Sequence, residues 1–151
     1  MSDVAQTTAL QVAHRVSDGM WASDRACQAL GMRVVEVTPG RASLAMTVRE
    51  EMLNGHDLCH GGYITTLADS AFAYACNSYD ELTVASGLTI DFLAPARLGE
   101  ALTAAAHEVS KAGRAGVYDV EVCNQDGVRI AVFRGRSHTF RGRPAVPPAN
   151  A

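Results

Sequence analysis

The sequence predicts an α+β fold in which one long helix packs against a curved antiparallel sheet. Residues 60–76 are apolar on almost every side, which is typical of a buried helix. Beyond them the hydrophobic pattern changes from a period of 3.6 residues to a period of two, which indicates strands. The turns between these strands are short and favour antiparallel neighbours. Because the chain has 151 residues, it can form one domain with a full-sized core.

Two short helices are predicted for residues 1–31, the N-terminal part of this domain. Ser23 or Asp24 could cap the second helix, since short polar side chains accept hydrogen bonds from free backbone N–H groups. Gly31 is expected to end this helix, because glycine adopts the left-handed conformation without strain. The main domain is predicted to follow over residues 32–140.

The main domain begins with two predicted strands. The first covers residues 32–37 and ends at a Thr-Pro-Gly turn. The second alternates large apolar side chains with small ones, and its apolar positions are Leu44, Met46 and Val48. We expect these two strands to complete the sheet that the later strands form.

Four further strands follow the long helix and are predicted to form an antiparallel meander. In the first of them, one face is predicted to carry the apolar residues Leu82, Val84, Leu88, Ile90 and Phe92. The turn at residues 124–127 predicts a hairpin between the last two strands. The tail, residues 141–151, contains three prolines and is predicted to be disordered.

Composition and charge exclude several classes of function. The formal net charge is −3, which argues against a general nucleic-acid-binding protein. No apolar run is long enough to cross a bilayer, and the N-terminus lacks the pattern of a signal peptide. We therefore expect a cytoplasmic protein without a membrane or nucleic-acid partner. Its four cysteines form no C-x-x-C pair and are expected to be reduced thiols, mostly buried.

Asp69 lies in the middle of the long apolar helix, with no Lys or Arg three or four positions away. An unpaired carboxylate in such a helix is unfavourable, so it indicates a specific role. Helical geometry places it on the face opposite to the sheet, together with Gly62, Thr65, Phe72, Ala73 and Cys76. Two interpretations stay open. Asp69 is a general base or nucleophile in a partly desolvated site, or a structural residue that accepts hydrogen bonds across an interface.

Two glycines at the predicted start of this helix could form the second half of a site. The first backbone N–H groups of a helix lack internal partners and lie at its positive end. Gly61 and Gly62 have no side chain that would keep a ligand away from these donors. A carbonyl oxygen that gains negative charge in a transition state would be stabilised there. The alternative is that the two glycines only end a loop.

One helix cannot easily supply both halves to one substrate. Gly62 and Asp69 are seven residues apart, which is about 10 Å along the helix axis. The Asp side chain leans towards the N-terminus and recovers only part of that distance. Two antiparallel copies of the helix across a two-fold axis could bring each N-terminus to the other's Asp69. The sequence therefore predicts an obligate homodimer with shared sites.

The loop before the helix adds further polar groups. Asn54 could hold a water or the scissile group through its amide. His56 and His60 with Cys59 suggest a zinc site, but no further well-placed ligand is evident, and we predict no metal. Cys59 beside His60 resembles a nucleophile and its base only in the linear sequence, which is a weak indication.

Basic residues are frequent in the last third of the chain. They are Lys111, Arg114, Arg134, Arg136, Arg141 and Arg143. One interpretation is solvated charge at strand ends. The other is a local patch that binds phosphates on an otherwise acidic protein.

Several segments closely resemble the hotdog-fold acyl-CoA thioesterases of phenylacetate degradation. The loop segments are Leu53-Asn54-Gly55-His56 and Cys59-His60-Gly61-Gly62, and the helix carries LADSAFAYACNS at residues 67–78. The likeness continues in TIDFL at 89–93, GVYDV at 116–120 and FRGRSH at 133–138. It covers most of the chain, apart from the extreme N-terminus and the Pro-rich tail.

The resemblance implies a helix wrapped by an antiparallel sheet, and dimers that pair into a tetramer. It implies hydrolysis of phenylacetyl-CoA or its ring-hydroxylated forms to the free acid and CoA, with no cofactor. By matching positions, Asp69 would activate water, and the backbone N–H groups at Gly61 and Gly62 would polarise the thioester carbonyl. The same comparison implies further contacts with the substrate or the site, by Asn54, His56, His60, Thr89 and Asp91.

Other functions stay open on the same fold. One is a non-catalytic acyl-CoA-binding protein. Another is a hydratase or dehydratase, in which a His would pair with the helix acid at a spacing that this sequence does not show. Asp69 could also attack the thioester to form an anhydride instead of acting as a base.

Overall fold

The structure is a computed structural model that describes residues 2–148, with side chains from residue 8 onward. The helices are α1 (Ser2–Ser23), α2 (Arg25–Ala29) and α3 (Gly61–Asn77), with a short 3-10 helix at Glu50–Met52. The strands are β1 (Arg33–Thr38), β2 (Arg41–Thr47), β3 (Thr83–Phe92), β4 (Ala101–Ala112), β5 (Ala115–Cys123) and β6 (Arg129–Thr139). All six strands form one antiparallel sheet, and α3 contacts every one of them. The predicted α+β class is therefore confirmed.

The N-terminal helices differ from the prediction in length. Helix α1 has 22 residues instead of being short, because Ala13 and Val16 bury one of its sides against the rest of the domain. Asp24 caps α2, and its Oδ1 accepts a hydrogen bond from the Cys27 N–H at 3.1 Å. Gly31 follows with a φ of +67°, as expected for the residue that ends this helix.

The order of the strands corrects the predicted four-stranded meander. The sheet runs β1-β2-β4-β5-β6-β3, so β4, β5 and β6 are consecutive neighbours, but β3 pairs with β6 at the edge. The connection of residues 93–100 is long enough to carry the chain across the end of the sheet to a place beside β2. On the way, the Ala96 carbonyl accepts a hydrogen bond from the Cys59 N–H at 2.8 Å. This connection therefore passes next to the start of α3.

A bulge at Ser86 changes which side chains of β3 face the core. Ala85 pairs with Ser137 and Gly87 with Arg136, so Ser86 is an extra residue in the ladder. Before the bulge Thr83 is buried and Val84 is 43% exposed, contrary to the predicted common face of Val84 and the later residues. After the bulge the alternation brings Leu88, Ile90 and Phe92 to the face that carries α3.

Phe72 is buried in the core, although the helical face prediction placed it beside Asp69. Its ring packs against Tyr118 and Phe133, with ring centroids 5.5 Å and 5.8 Å away. A Cβ at Gly135 would lie 2.8 Å from the same ring, so the sheet approaches the helix closely there. Cys76 is also buried. The sheet therefore covers a wider part of α3 than the sequence predicts, and the open face is narrower.

The first part of the Pro-rich tail contacts the domain, where the sequence predicts disorder. The Leu82 N–H donates to the Arg143 carbonyl at 2.8 Å, and the Ala145 N–H donates to Asp80 Oδ1 at 3.1 Å. Val146 is 6% exposed and packs on Gly19 of α1. Residues 149–151 lie outside the described residues. Within residues 2–148, no helix is both long and apolar enough to span a membrane.

Candidate active site

His60 caps α3 and uses one of the two predicted backbone donors. Its Nδ1 accepts a hydrogen bond from the Gly62 N–H at 2.9 Å, and its carbonyl accepts one from the Tyr63 N–H at 3.0 Å. His60 therefore holds its proton on Nε2 when it is neutral. The Gly61 N–H has no acceptor among residues 2–148. Of the two glycine N–H groups, the structure leaves that of Gly61 for a ligand.

A cavity of about 470 Å³ opens beside Gly61. Asn54 lies on its wall, so the structure brings these two predicted site residues together. The rest of the lining is mainly apolar and includes Leu58, Ile64, Phe92, Leu93 and Pro95. Such a lining suits an acyl group that enters with its carbonyl towards the start of α3.

The amide oxygen of Asn54 is committed to the loop that precedes α3. Asn54 Oδ1 accepts hydrogen bonds from the backbone N–H groups of His56 at 2.9 Å and Leu58 at 3.2 Å. The Asn54 N–H also donates to the Leu58 carbonyl at 2.8 Å, which closes the loop. Asn54 Nδ2 therefore remains as a hydrogen-bond donor, suited to a carbonyl oxygen. His56 lies exposed on this loop.

Cys59 and His60 do not form a nucleophile and its base. The Cys59 thiol points to the His60 carbonyl, with Sγ and the oxygen 3.7 Å apart. Burial raises the pKa of Cys59, which disfavours a thiolate. His60 Nδ1 is occupied by Gly62, as described above. All four cysteines are free, and Cys27, Cys59 and Cys76 are buried. The prediction of reduced, mostly buried thiols is therefore confirmed.

Asp69 lies half-buried in the middle of α3, and its Oδ1 is buried. Within the described part of the chain, this oxygen accepts no hydrogen bond. The neighbouring hydroxyl of Ser70 does not serve it, because Ser70 Oγ donates to the Thr66 carbonyl at 2.7 Å and accepts from the Cys27 thiol. Burial raises the pKa of the Asp69 carboxyl above its usual range. The carboxylate oxygen Oδ1 is thus a desolvated acceptor without a partner among the residues that the structure describes.

Replacing Asp69 with asparagine is expected to raise the melting temperature at neutral pH. The folded protein binds a proton at Asp69 more tightly than the unfolded chain does, so the wild type loses stability as the pH rises through this raised pKa. Asparagine is nearly isosteric, and its neutral amide is less unfavourable to bury than a carboxylate. The gain should vanish at acid pH, below the usual pKa of an aspartate. Thermal melts of both proteins between about pH 3.5 and pH 8 measure it. A gain that does not depend on pH would contradict the assignment of this pKa.

Asp69 does not line the cavity at Gly61. The two halves of the predicted site therefore occupy different places on one chain. Gly62, Thr66 and Ala73 share the incompletely buried face of α3 with Asp69, so a second surface can cover this face. The arrangement agrees with the distance argument from the sequence.

Three of the residues predicted to contact the substrate lie together on the outer face of the sheet. Phe133 faces α3, so its neighbour Arg134 points to the opposite side. Arg134 shares a depression of about 350 Å³ with Thr89 and Asp91. Its guanidinium donates to both carboxylate oxygens of Asp119, at 2.6 Å and 2.8 Å, and lowers the pKa of that carboxyl. These residues therefore do not meet Asp69 or Gly61 within one chain.

The remaining predicted basic residues lie at two places, with Arg136 on the outer face of the sheet and Lys111 and Arg114 on the β4–β5 hairpin. Arg136 is on the outer face beside Gly87 of β3. Lys111 lies at the C-terminal end of α3, where its Nζ is 4.1 Å above the Tyr79 ring and 3.5 Å from Glu81. Arg114 is in the β4–β5 turn, where its carbonyl accepts a hydrogen bond from the Thr139 N–H. The structure thus distributes these cations over two surfaces and forms no single patch in one chain.

No group of three or more His, Cys, Asp or Glu side chains within reach of one metal ion occurs in the part of the chain that the structure describes. His56 is exposed and His60 caps the helix, so the two histidines that suggested zinc have separate surroundings.

Comparison with known protein sequences gives a clear relationship. A family profile described as the thioesterase superfamily matches residues 56–131. Acyl-coenzyme A thioesterase PaaI of Escherichia coli K12 is 47% identical over 123 residues, which cover 82% of this chain and 88% of that protein.

Comparison with solved structures agrees with the sequence comparison. The E. coli PaaI protein from the phenylacetic acid degradation operon superposes with a TM-score of 0.87 at 44% identity, over 89% of this chain and 97% of that chain. The Streptococcus mutans protein smu.793, solved bound to acetyl CoA, superposes with a TM-score of 0.71 at 26% identity. This superposition covers 74% of this chain and 90% of the S. mutans chain.

Proposed function

Because this chain belongs to the thioesterase superfamily, and within it resembles the PaaI acyl-CoA thioesterases, we propose that it hydrolyses acyl-CoA thioesters to the free acid and CoA. The proposed substrates are phenylacetyl-CoA or its ring-hydroxylated forms, within phenylacetate catabolism. The operon of the E. coli relative supports this choice. The observation that carries the proposal is the buried, unpartnered Oδ1 of Asp69 on the same helix as the free N–H of Gly61.

The thioester carbonyl binds at the start of α3 in the proposed mechanism. The Gly61 N–H and Asn54 Nδ2 donate to the carbonyl oxygen and stabilise the negative charge that it gains. Asp69 of the partner subunit takes a proton from water while the water oxygen attacks the carbonyl carbon. The bond between carbon and sulfur then breaks, and the CoA thiolate leaves and is protonated. Attack by Asp69 itself, through an anhydride that water cleaves, uses the same groups. Neither route requires a metal or a cofactor.

A homodimer with shared sites is part of this proposal. Strand β3 is an edge strand, and it exposes the apolar side chains of Val84 and Leu88. An unpaired edge with exposed apolar side chains suits pairing with a second copy of the same strand. Such a partner would cover the incompletely buried face of α3 and bring its own Gly61 to Asp69. A tetramer of two such dimers stays a prediction from the resemblance.

The phosphates of CoA need cations at the far end of the pantetheine arm from the thioester that binds at Gly61. Lys111 and Arg114 lie at the opposite end of α3, which is about 25 Å long. An antiparallel partner would turn its own Lys111 and Arg114 towards this Gly61 end. Arg134 and Arg136 are less suited, because Arg134 is already paired with Asp119 and both lie on the outer face. Lys111 and Arg114 are therefore the phosphate contacts that we propose first.

A panel of CoA thioesters tests the proposed function. We expect the purified protein to release CoA from phenylacetyl-CoA and hydroxyphenylacetyl-CoA with a higher kcat/KM than from straight-chain acyl-CoA. The rate should be unchanged after treatment with a chelator. Isothermal titration with CoA provides the control for binding. Binding of CoA without hydrolysis of any member of the panel would contradict the enzyme and favour the acyl-CoA-binding protein.

A further inference from the structure

Phe92 touches the residue whose backbone N–H is free. A Cβ added to Gly61 would lie 2.8 Å from Cζ of Phe92 and 3.2 Å and 3.3 Å from its two Cε atoms. The tip of the phenyl ring therefore rests on the backbone of Gly61, at the start of α3. A carbonyl group that accepts a hydrogen bond from the Gly61 N–H therefore binds to a residue that this ring contacts.

The ring of Phe92 is not held in the core. Phe92 is 51% exposed, whereas Phe72 is buried and packs against the buried rings of Tyr118 and Phe133. Among the described side chains, residues 8–148, Phe92 has no aromatic neighbour. Its ring therefore has a face available for contact with a bound group.

The cavity beside Gly61 offers the acyl group apolar side chains on its other sides. Leu58, Ile64, Leu93 and Pro95 line it, and Phe92 is the aromatic residue among the lining residues that the structure describes. In an arylacetyl group the ring lies one methylene beyond the carbonyl carbon. A carbonyl bound at Gly61 therefore places that ring within reach of Phe92. A straight alkyl chain can fill the same space but makes no aromatic contact.

We propose that Phe92 is a specificity-determining residue, whose ring contacts the aryl ring of the acyl group and favours arylacetyl-CoA over straight-chain acyl-CoA. The inference rests on the proposed function and adds to it the residue that recognises the acyl group. Phe92 takes no part in proton transfer, and its effect is on the choice of substrate.

The substitution Phe92→Leu tests the proposal through the ratio of two kcat/KM values. We expect the ratio for phenylacetyl-CoA over hexanoyl-CoA to fall by about threefold to tenfold, because only phenylacetyl-CoA loses an aromatic contact and its kcat/KM therefore falls further than that for hexanoyl-CoA. Phe92→Tyr keeps the ring and should keep the wild-type ratio. The matched control is Phe140→Leu, because Phe140 is also exposed but follows the C-terminal end of β6. Phe92, in contrast, pairs with Ala131 near the N-terminal end of that strand. Melting temperatures establish that each variant is folded, and Phe92→Met replaces Phe92→Leu if the latter does not fold.

The outcomes separate this inference from the proposed function. A wild type that hydrolyses thioesters with no preference for the arylacetyl group overturns the role of Phe92 and the proposed choice of substrate, but leaves the hydrolysis of acyl-CoA standing. An unchanged ratio in Phe92→Leu, or an equal fall for both substrates, also overturns it, because the ring would then only shape the surroundings of Gly61. A wild type that hydrolyses no thioester refutes the proposed function, and the inference about Phe92 falls with it.

Discussion

Replacing Asp69 with asparagine is expected to lower kcat by about 10²- to 10⁴-fold, which is the usual contribution of a positioned general base. Asparagine keeps the size and shape of the side chain but cannot accept the proton of water at neutral pH. It also cannot attack the thioester as a carboxylate would. The release of CoA from phenylacetyl-CoA, followed with a thiol reagent, measures the loss.

The control for this variant is Asp126→Asn. Asp126 lies exposed in the β5–β6 turn and does not line the cavity at Gly61, so its replacement should leave kcat unchanged. KM should change much less than kcat in Asp69→Asn, because the Gly61 N–H and the apolar cavity remain. An Asp69→Asn protein that is folded and hydrolyses its substrate at the wild-type rate would show that Asp69 is a structural residue.

Periodicity predicted most of the elements of this fold but not the order of its strands. The alternation in β5 and the apolar helix α3 are strong local signals, and the structure has both. The position of β3 depends on where the eight residues of the connection before β4 lead, and no local pattern encodes this. The bulge at Ser86 inserts one residue into a regular ladder. Residues at even positions therefore face one side of the sheet before the bulge and the opposite side after it, and a single alternating pattern cannot describe the whole strand. Long-range packing decided these features.

The sequence predicted which residues belong to the candidate site, but not which of their atoms are free to bind a substrate. The position of Asp69 in an apolar helix was sufficient to identify an unpartnered carboxylate. The sequence could not show that His60 would bind the Gly62 N–H, because histidine is not a usual capping residue. It also could not show that the loop would use the amide oxygen of Asn54. Phe92 was recognised only as an apolar strand residue, and its contact with Gly61 required the folded sheet.

Thr89, Asp91, Arg134 and Arg136 show the limit of assigning roles by position in a motif. The resemblance or the charge pattern suggested that they contact the substrate, but strand alternation places them on the face of the sheet opposite to α3. Their roles stay predictions. If they act on the substrate, they do so from another subunit or at the far end of CoA.

A site shared between two chains explains three observations together. Within the described residues, Asp69 Oδ1 and the Gly61 N–H have no hydrogen-bond partner, and the cavity at Gly61 does not include Asp69. Each observation alone admits another explanation. Together they predict that a chain without Asp69 and a chain in which a side chain at position 61 blocks the backbone donor can repair one another.

Mixing Asp69→Asn chains with Gly61→Val chains is the most direct test of this claim. The two inactive proteins are unfolded together in equal amounts and refolded, so that half of the dimers combine one chain of each kind. In such a dimer one of the two sites carries an intact Asp69 and an intact Gly61, so the mixture should recover about a quarter of the wild-type activity. Asp69→Asn mixed with Asp69→Ala is the control, and it should recover nothing because both chains lack the same half. Recovery to about a quarter is the result that the shared site predicts, and a mixture of refolded dimers no more active than its two separate components would contradict it.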